Sequence, residues 1–368
     1  MAEDNGSSGP GAPDQPIRVL VVDDSVVVRR LVVRAVEAAA DLELAGIASN
    51  GQMALQRVGN LLPDVVILDL AMPGMDGLSV LSELRRDHQG LPVVIFSSQP
   101  QGPLSSVILD ALSKGKTELV LKPTATRDAA VGSDYVRDEL LPVVRDIVRV
   151  RRESVGQPAA GPAVSRPRAA DTGQRTRVDA VVVGVSTGGP EALATLFRGL
   201  RQALPVPVLI VQHMPAGFTK LLAERLDRIT EATVREAVEG QLVEPGMVLF
   251  APGGRHMELV RVYDRVVVRI SDGPRVNFCR PSADVLFQSA ARVYGRATLA
   301  VVLTGMGTDG LVGSRAVHGA GGSVLAQSAA TSIIASMPMA VADFADAIVP
   351  LDRVAAELVS RTRADRWT

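Results

Sequence analysis

Short apolar runs recur along the chain at intervals that leave room for a helix between them. Val19–Val22, Val65–Leu68, Val93–Phe96 and Leu119–Leu121 are continuous apolar stretches of strand length. Segments of helical character, such as Val26–Ala40, lie between them. A run that is apolar at every position predicts a strand covered on both faces, as in a parallel sheet with helices on either side. The last helix of this half is expected over Tyr135–Arg152.

From Glu153 to Arg177 the periodicity stops, and Gly, Pro, Ala, Ser and Arg dominate. That composition reads as a flexible linker. A second alternating region starts at Val178. Val181–Val185, Val208–Val211 and Leu299–Leu303 read as buried parallel strands, and Val248–Ala251, Met257–Val262 and Val266–Ile270 as shorter ones. The expected organisation is a tail over 1–16, an α/β domain over 17–152, a linker over 153–177 and a second α/β domain over 178–368. Neither half repeats the other.

Composition narrows the function. The 368 residues are 47% hydrophobic and 21% charged, enough for two cores. Aromatics are only 3%, too few for a base-stacking surface, and the net charge of −1 gives no general attraction to nucleic acid or anionic lipid. No nucleic-acid partner is expected. The single cysteine, Cys279, rules out an intrachain disulfide and fits a reducing compartment. Met1–Pro16 lacks the basic-then-apolar order of a signal peptide, and no apolar stretch is long enough to span a bilayer. A cytoplasmic protein without membrane insertion is expected.

Two sets of polar residues fall at strand ends. In an open parallel sheet these ends share one edge, where ligands bind. In the first half, Asp23 and Asp24 follow the first strand, Asp69 the third, Ser97 the fourth and Lys122 the fifth. Three carboxylates brought together repel each other, and a hard divalent cation such as Mg²⁺ relieves the repulsion. A carboxylate beside it can attack a phosphoryl donor, while Lys122 and Ser97 bind the phosphoryl oxygens.

The segments VLVVDDSVVVRRLV, PDVVILDLAMPGMDGL, PVVIFSS and LKP resemble a response-regulator receiver domain over about 17–152. The resemblance implies a flavodoxin-like (βα)5 fold, Asp69 as phosphoacceptor, Asp23, Asp24 and Asp69 as Mg²⁺ ligands, Ser97 as switch hydroxyl and Lys122 as phosphate-sensing lysine. It also implies a cis bond at Lys122–Pro123. Leu119 stands where receivers usually carry an aromatic switch residue.

In the second half, Val181–Val185 runs into Ser186-Thr187-Gly188-Gly189-Pro190 and then a helix. A serine on such a turn is exposed above the sheet, next to a helix N-terminus that favours negative charge. Taken alone, the turn fits a nucleophile or a phosphate cradle equally. His213 follows the strand of VLIVQHMP, and Asp309 sits at the tip of the Gly-rich turn after Leu299–Leu303. Three strand ends thus deliver Ser, His and Asp to one crevice, the set needed for nucleophilic acyl transfer. The other histidines, His88, His256 and His318, do not directly follow a strong buried strand. Ser282 reads as an N-cap, and Cys279 has no basic partner in sequence and no expected catalytic role.

GVSTGGPEAL, IVQHMPAGFTKLLAERL, APGGRHMEL, DGP, RPSADVLFQS and VVLTGMGTDG strongly resemble the catalytic domain of the chemotaxis protein-glutamate methylesterases, the CheB family, over about 178–359. The resemblance implies a doubly wound, mainly parallel α/β esterase domain with Ser186 as nucleophile, His213 as base and Asp309 as orienting acid. It implies that Thr187 helps hold the histidine and that the Met306 N–H contributes to an oxyanion hole. Also implied are methyl-accepting chemoreceptors as substrate, a chemotaxis histidine kinase as phosphodonor, glutamine deamidation as a second activity and a receiver that restrains the esterase until phosphorylated. No cofactor is expected for ester hydrolysis. Ser336-Met337-Pro338-Met339 replaces a typical Gly-Met-Pro-Arg and is expected to lie away from the triad. The competing expectation is an output half that only binds a partner or nucleotide.

Overall fold

The computed structural model describes residues 15–98, 103–113, 116–123, 129–156 and 177–363. Residues 1–14 of the expected tail over 1–16 and 157–176 of the expected linker over 153–177 lie outside them. The chain forms two compact units.

The first sheet has five strands, β1 (Ile17–Val22), β2 (Leu42–Ala48), β3 (Val65–Leu68), β4 (Val93–Ser97) and β5 (Thr117–Leu121), in the order β2-β1-β3-β4-β5. β1 pairs in parallel with β2 and β3, and β3 with β4. This is the flavodoxin-like order, whose switch point lies between β1 and β3. The intervening helices are α1 (Val26–Glu37), α2 (Gly51–Leu61), α3 (Gly77–Asp87) and α4 (Pro103–Ser113). Ser25, Asn50 and Asp76 cap α1, α2 and α3, each accepting a backbone N–H three residues on. α1 buries Val32 and Val36, a four-residue spacing on one helix face. It ends at Glu37, short of the expected Ala40. α5 (Ala129–Tyr135) passes through a π-helical turn, Val136–Leu140, into α6 (Leu141–Gly156). α6 thus continues four residues past the expected end at Arg152.

The second unit carries seven parallel strands in the order β14-β13-β12-β6-β7-β9-β8. They are β6 (Ala180–Val185), β7 (Val208–Gln212), β8 (Thr233–Glu236), β9 (Met247–Phe250), β12 (Thr298–Val302), β13 (Ser323–Gln327) and β14 (Ala347–Val349). β10 (His256–Val262) and β11 (Arg265–Ser271) form an antiparallel hairpin. Six helices accompany the sheet: α7 (Gly189–Gly199), α8 (Phe218–Asp227), α9 (Ala283–Tyr294), α10 (Leu311–Gly319), α11 (Ser336–Ala340) and α12 (Leu351–Thr362). β6, β7 and β12 are buried at every position. Each fully buried valine there stabilises the fold by about 1.5–3 kcal/mol. The chain moves from β6 to β7 on one side and returns to β12 on the other. The switch point, where such sheets open a crevice at their carboxyl ends, therefore falls at β6. Among the described residues no helix is long and apolar enough to cross a membrane.

Candidate functional site

β6 and β7 pair in register up to Val185↔Gln212, so Ser186 and His213 are the next residues on two adjacent parallel strands. His213 N donates to Val185 O at 3.1 Å, and Ser186 N donates to Thr304 O at 3.0 Å in the turn after β12. Gln212 adds a side-chain link, its Nε2 donating to Ser186 O at 2.9 Å and to His213 O at 3.2 Å. These bonds tie the backbone at Ser186 to the end of β7 and to the turn after β12. The turn beyond it needs its glycines. Gly188 has φ +75°, and a Cβ on Gly189 would meet Gln212 Oε1 at 1.9 Å. A Cβ on Gly305 would come within 2.8 Å of Ser186 Cβ.

His213 Nε2 lies 2.8 Å from Asp309 Oδ2. Asp309, which follows β12, is 2% exposed. Ser282 Oγ donates to its Oδ1 at 2.6 Å, Ala283 N to its Oδ2 at 2.6 Å and Asp284 N to its Oδ1 at 3.1 Å. The carboxylate thus occupies the N-terminus of α9, where helix N–H groups lack partners and the dipole favours an anion. Burial alone would raise the Asp309 pKa, but its bonds with His213, Ser282 and Ala283 hold it below the ordinary carboxylate range. Burial works against a charged His213, yet the bonds to Asp309 and Cys279 prevail and push its pKa up to about 10.

The structure corrects three expectations here. Ser282 stands at the N-cap position of α9, but its side chain makes no capping bond and holds Asp309 instead. Cys279 does have a basic neighbour, its Sγ lying 3.7 Å from His213 Nδ1. The Ser336 segment is not remote: Ser336 Oγ donates to Gly305 O and accepts from Gly307 N, both at 3.1 Å, and Met337 N donates to Gly305 O at 3.0 Å. These bonds bracket Met306, the expected oxyanion residue. Thr187 is buried, and its carbonyl accepts from Thr304 Oγ1 at 3.0 Å. His256 Nε2 bonds Pro274 O at 2.9 Å, His88 is the C-cap of α3 and His318 packs on Phe344, which leaves His213 at the strand edge.

The first unit holds its own cluster. Lys122 Nζ lies 2.5 Å from Asp69 Oδ2 and 2.8 Å from Asp23 Oδ2. Ser97 Oγ donates to Asp69 Oδ1 at 2.8 Å. Asp69 and Asp23 are buried, Asp24 is exposed, and the three carboxylates bring oxygens within 4.8 Å of one another. Burial raises the Asp23 pKa, with Asp69 adding to the rise and Lys122 opposing it. An all-oxygen set with one face open to solvent fits a hard divalent cation. Among the described residues the cis peptide bond is Arg280–Pro281, so Lys122–Pro123 is not cis as the resemblance implied.

Family comparison covers both halves of the chain. The model described as CheB methylesterase matches residues 181–358, and the response regulator receiver domain model matches 19–130. A Rhodopseudomonas palustris protein named protein-glutamate methylesterase/protein-glutamine glutaminase is 39% identical over 96% of each chain. The chain belongs to that family. A Nocardioides relative of the same name is 42% identical over 95% of this chain and 96% of its own. Receiver domains bind a divalent metal for phosphorylation, and Asp23, Asp24 and Asp69 form a group of carboxylates that could hold one.

Proposed function

We propose that the chain is a phosphorylation-activated protein-glutamate methylesterase. It hydrolyses glutamate methyl esters on methyl-accepting chemoreceptors and deamidates particular glutamines. The observation that carries this reading is the oriented pair His213–Asp309 beside Ser186, on three neighbouring strand ends.

The chemistry follows from the positions. Ser186 Oγ attacks the side-chain carbonyl carbon of the ester as His213 Nδ1 takes its proton. Asp309 holds Nε2–H, so Nδ1 is the nitrogen left to accept the serine proton. Backbone N–H groups, that of Met306 among them, stabilise the oxyanion. Protonated His213 then gives its proton to the leaving methanol. Water, activated by the same imidazole, hydrolyses the glutamyl-serine ester. A glutamine amide would take the same path and release ammonia. Thr187, next to Ser186 on the same turn, helps hold the histidine.

The receiver supplies control. Asp69 accepts a phosphoryl group from a chemotaxis histidine kinase, and Ser97 and Lys122 hold its oxygens. Mg²⁺ held by Asp23, Asp24 and Asp69 would offset the charge of the incoming phosphoryl group. Activation is a shift of population toward the active form. We assign 17–152 to the receiver and 178–368 to the esterase, working in the cytoplasm without nucleic acid or membrane insertion. The test is methanol release from a methylated chemoreceptor fragment, with and without acetyl phosphate and Mg²⁺. Release that rises with the phosphodonor supports the reading, and a chain that binds the fragment without releasing methanol refutes it.

A further inference from the structure

Cys279 is the chain's one cysteine and is partly buried in the loop leading to Ser282. Its Sγ lies 3.7 Å from His213 Nδ1, and the other ring nitrogen is held by Asp309 Oδ2 at 2.8 Å. With Nε2 held by the carboxylate, Nδ1 is the ring nitrogen that faces the thiol. An imidazole backed by a carboxylate, with its other nitrogen open, is how proteins present histidine to a transition metal. Cys279, His213 and Asp309 bring their ligand atoms within 4.8 Å of one another. Zinc binds thiolate at about 2.3 Å and imidazole nitrogen at about 2.0–2.1 Å, so two such ligands on a tetrahedral ion lie about 3.6 Å apart. The observed separation of 3.7 Å matches that span.

We propose that Cys279 Sγ and His213 Nδ1 form an inhibitory site for a thiophilic divalent cation of the Zn²⁺ type. Asp309 fixes the ring from behind and is not itself a ligand. Binding replaces two protons at neutral pH: Cys–SH, His213 protonated at Nδ1 and Zn²⁺ give a zinc bound to Sγ and Nδ1 and two released H⁺. Water takes the remaining positions. With Nδ1 bound, no base remains for Ser186. The inhibitory consequence rests on the hydrolase reading above, and the metal binding does not. Ion softness separates this site from the receiver pocket, since Mg²⁺ prefers oxygen ligands and Zn²⁺ accepts sulfur and nitrogen.

The experiment titrates Co²⁺ into the full chain and follows thiolate-to-cobalt charge-transfer absorption in the near ultraviolet. With one cysteine in the chain, that band reports Cys279 alone, and Co²⁺ held by Asp23, Asp24 and Asp69 does not produce it. The wild type should develop the band, Zn²⁺ should abolish it, and Cys279→Ser should lack it. In parallel, Zn²⁺ at the concentration that abolishes the band should slow wild-type methanol release about 100-fold or more, as losing a triad member does, and slow Cys279→Ser less than about twofold. A wild type with no band, or equal Zn²⁺ inhibition of wild type and Cys279→Ser, overturns the proposal. A band in a chain that releases no methanol upholds the metal site and rejects the hydrolase reading. Methanol release without a band does the reverse.

Discussion

His213 Nε2 lies 2.8 Å from Asp309 Oδ2, and the same carboxylate accepts the backbone N–H groups of Ala283 and Asp284. One anion therefore caps α9 and orients the imidazole. Its position depends on a helix that begins 26 residues earlier in sequence than Asp309 itself. The dipole and N–H groups of that helix keep it charged. The geometry makes the orientation of His213 a property of how α9 packs, rather than of the Asp309 loop alone.

The first prediction concerns the imidazole tautomer. Asp309→Asn keeps the shape but presents an amide, which stabilises the ring with its proton on Nδ1 and so blocks proton acceptance from Ser186. Methanol release should fall about 10⁴-fold, by analogy with the same change in a serine protease triad. His213→Ala combined with Asp309→Asn should cost little more than the worse single change, because the triad acts as a unit. Turnover measured for the two single variants and the double variant checks this, and independent multiplicative losses contradict it.

Ser282 offers a milder perturbation. Its hydroxyl donates to Asp309 Oδ1 at 2.6 Å in a fully buried setting. A hydrogen bond to a charged group contributes about 1.5–3 kcal/mol, so Ser282→Ala should lower turnover by roughly 10- to 100-fold. KM should hardly move, since the residue acts through Asp309 and His213. A change confined to KM would mean that Ser282 contacts substrate instead.

The pH profile follows from His213. Its pKa in the folded chain is pushed up to about 10 from the ordinary 6.5, so the free base is scarce at neutral pH. After subtraction of spontaneous ester hydrolysis, methanol release should climb from pH 7 toward pH 10. A free imidazole would already level off near pH 7.5, about one unit above its ordinary pKa. The same shift stabilises the fold fully below pH 6.5, and this contribution is lost as pH rises through about 10. A plateau reached by pH 7.5 would contradict the assignment of the bonds to Asp309 and Cys279 as the dominant influence on His213.

Control by the receiver has its own test. Asp69→Asn should leave basal methanol release in place and abolish its rise with acetyl phosphate and Mg²⁺. Stopped release assays on both proteins measure it. Leu119, in place of the usual aromatic, points to a modest wild-type rise. Equal acceleration of Asp69→Asn and wild type would remove Asp69 as the control point.

Much of this was readable in the sequence because the pattern is local. The unbroken apolar runs at Val181–Val185 and Val208–Val211 became β6 and β7, and the residue after each strand end became Ser186 and, one place later, His213. Strands that lie at sheet edges were harder to read. β2, β8 and β14 are edge strands with half-exposed positions, so they lack the continuous apolar signature. β13 is an inner strand that the apolar pattern also leaves out, because its apolar run is only Val324–Ala326 between Ser323 and Gln327. Contacts made by folding were not readable at all. Nothing in the spacing of Cys279, Ser282 and Ser336 reveals that the first meets His213, the second grips Asp309 and the third brackets Met306. Those relations depend on α9 and α11 packing against the strand edge, and sequence periodicity carries no such information. The Gly305 loop gave one usable hint, since a glycine pair around Met306 marks a backbone that others must approach closely.

The central claim is that Ser186 is the nucleophile. Its most direct test is methanol release from a methylated chemoreceptor fragment by wild type and Ser186→Ala, with the fold of the variant checked by circular dichroism and thermal melting. A folded Ser186→Ala should lose methanol release by about 10⁴-fold or more, as loss of a triad nucleophile does. A folded Ser186→Ala that still releases methanol at close to the wild-type rate would contradict the account.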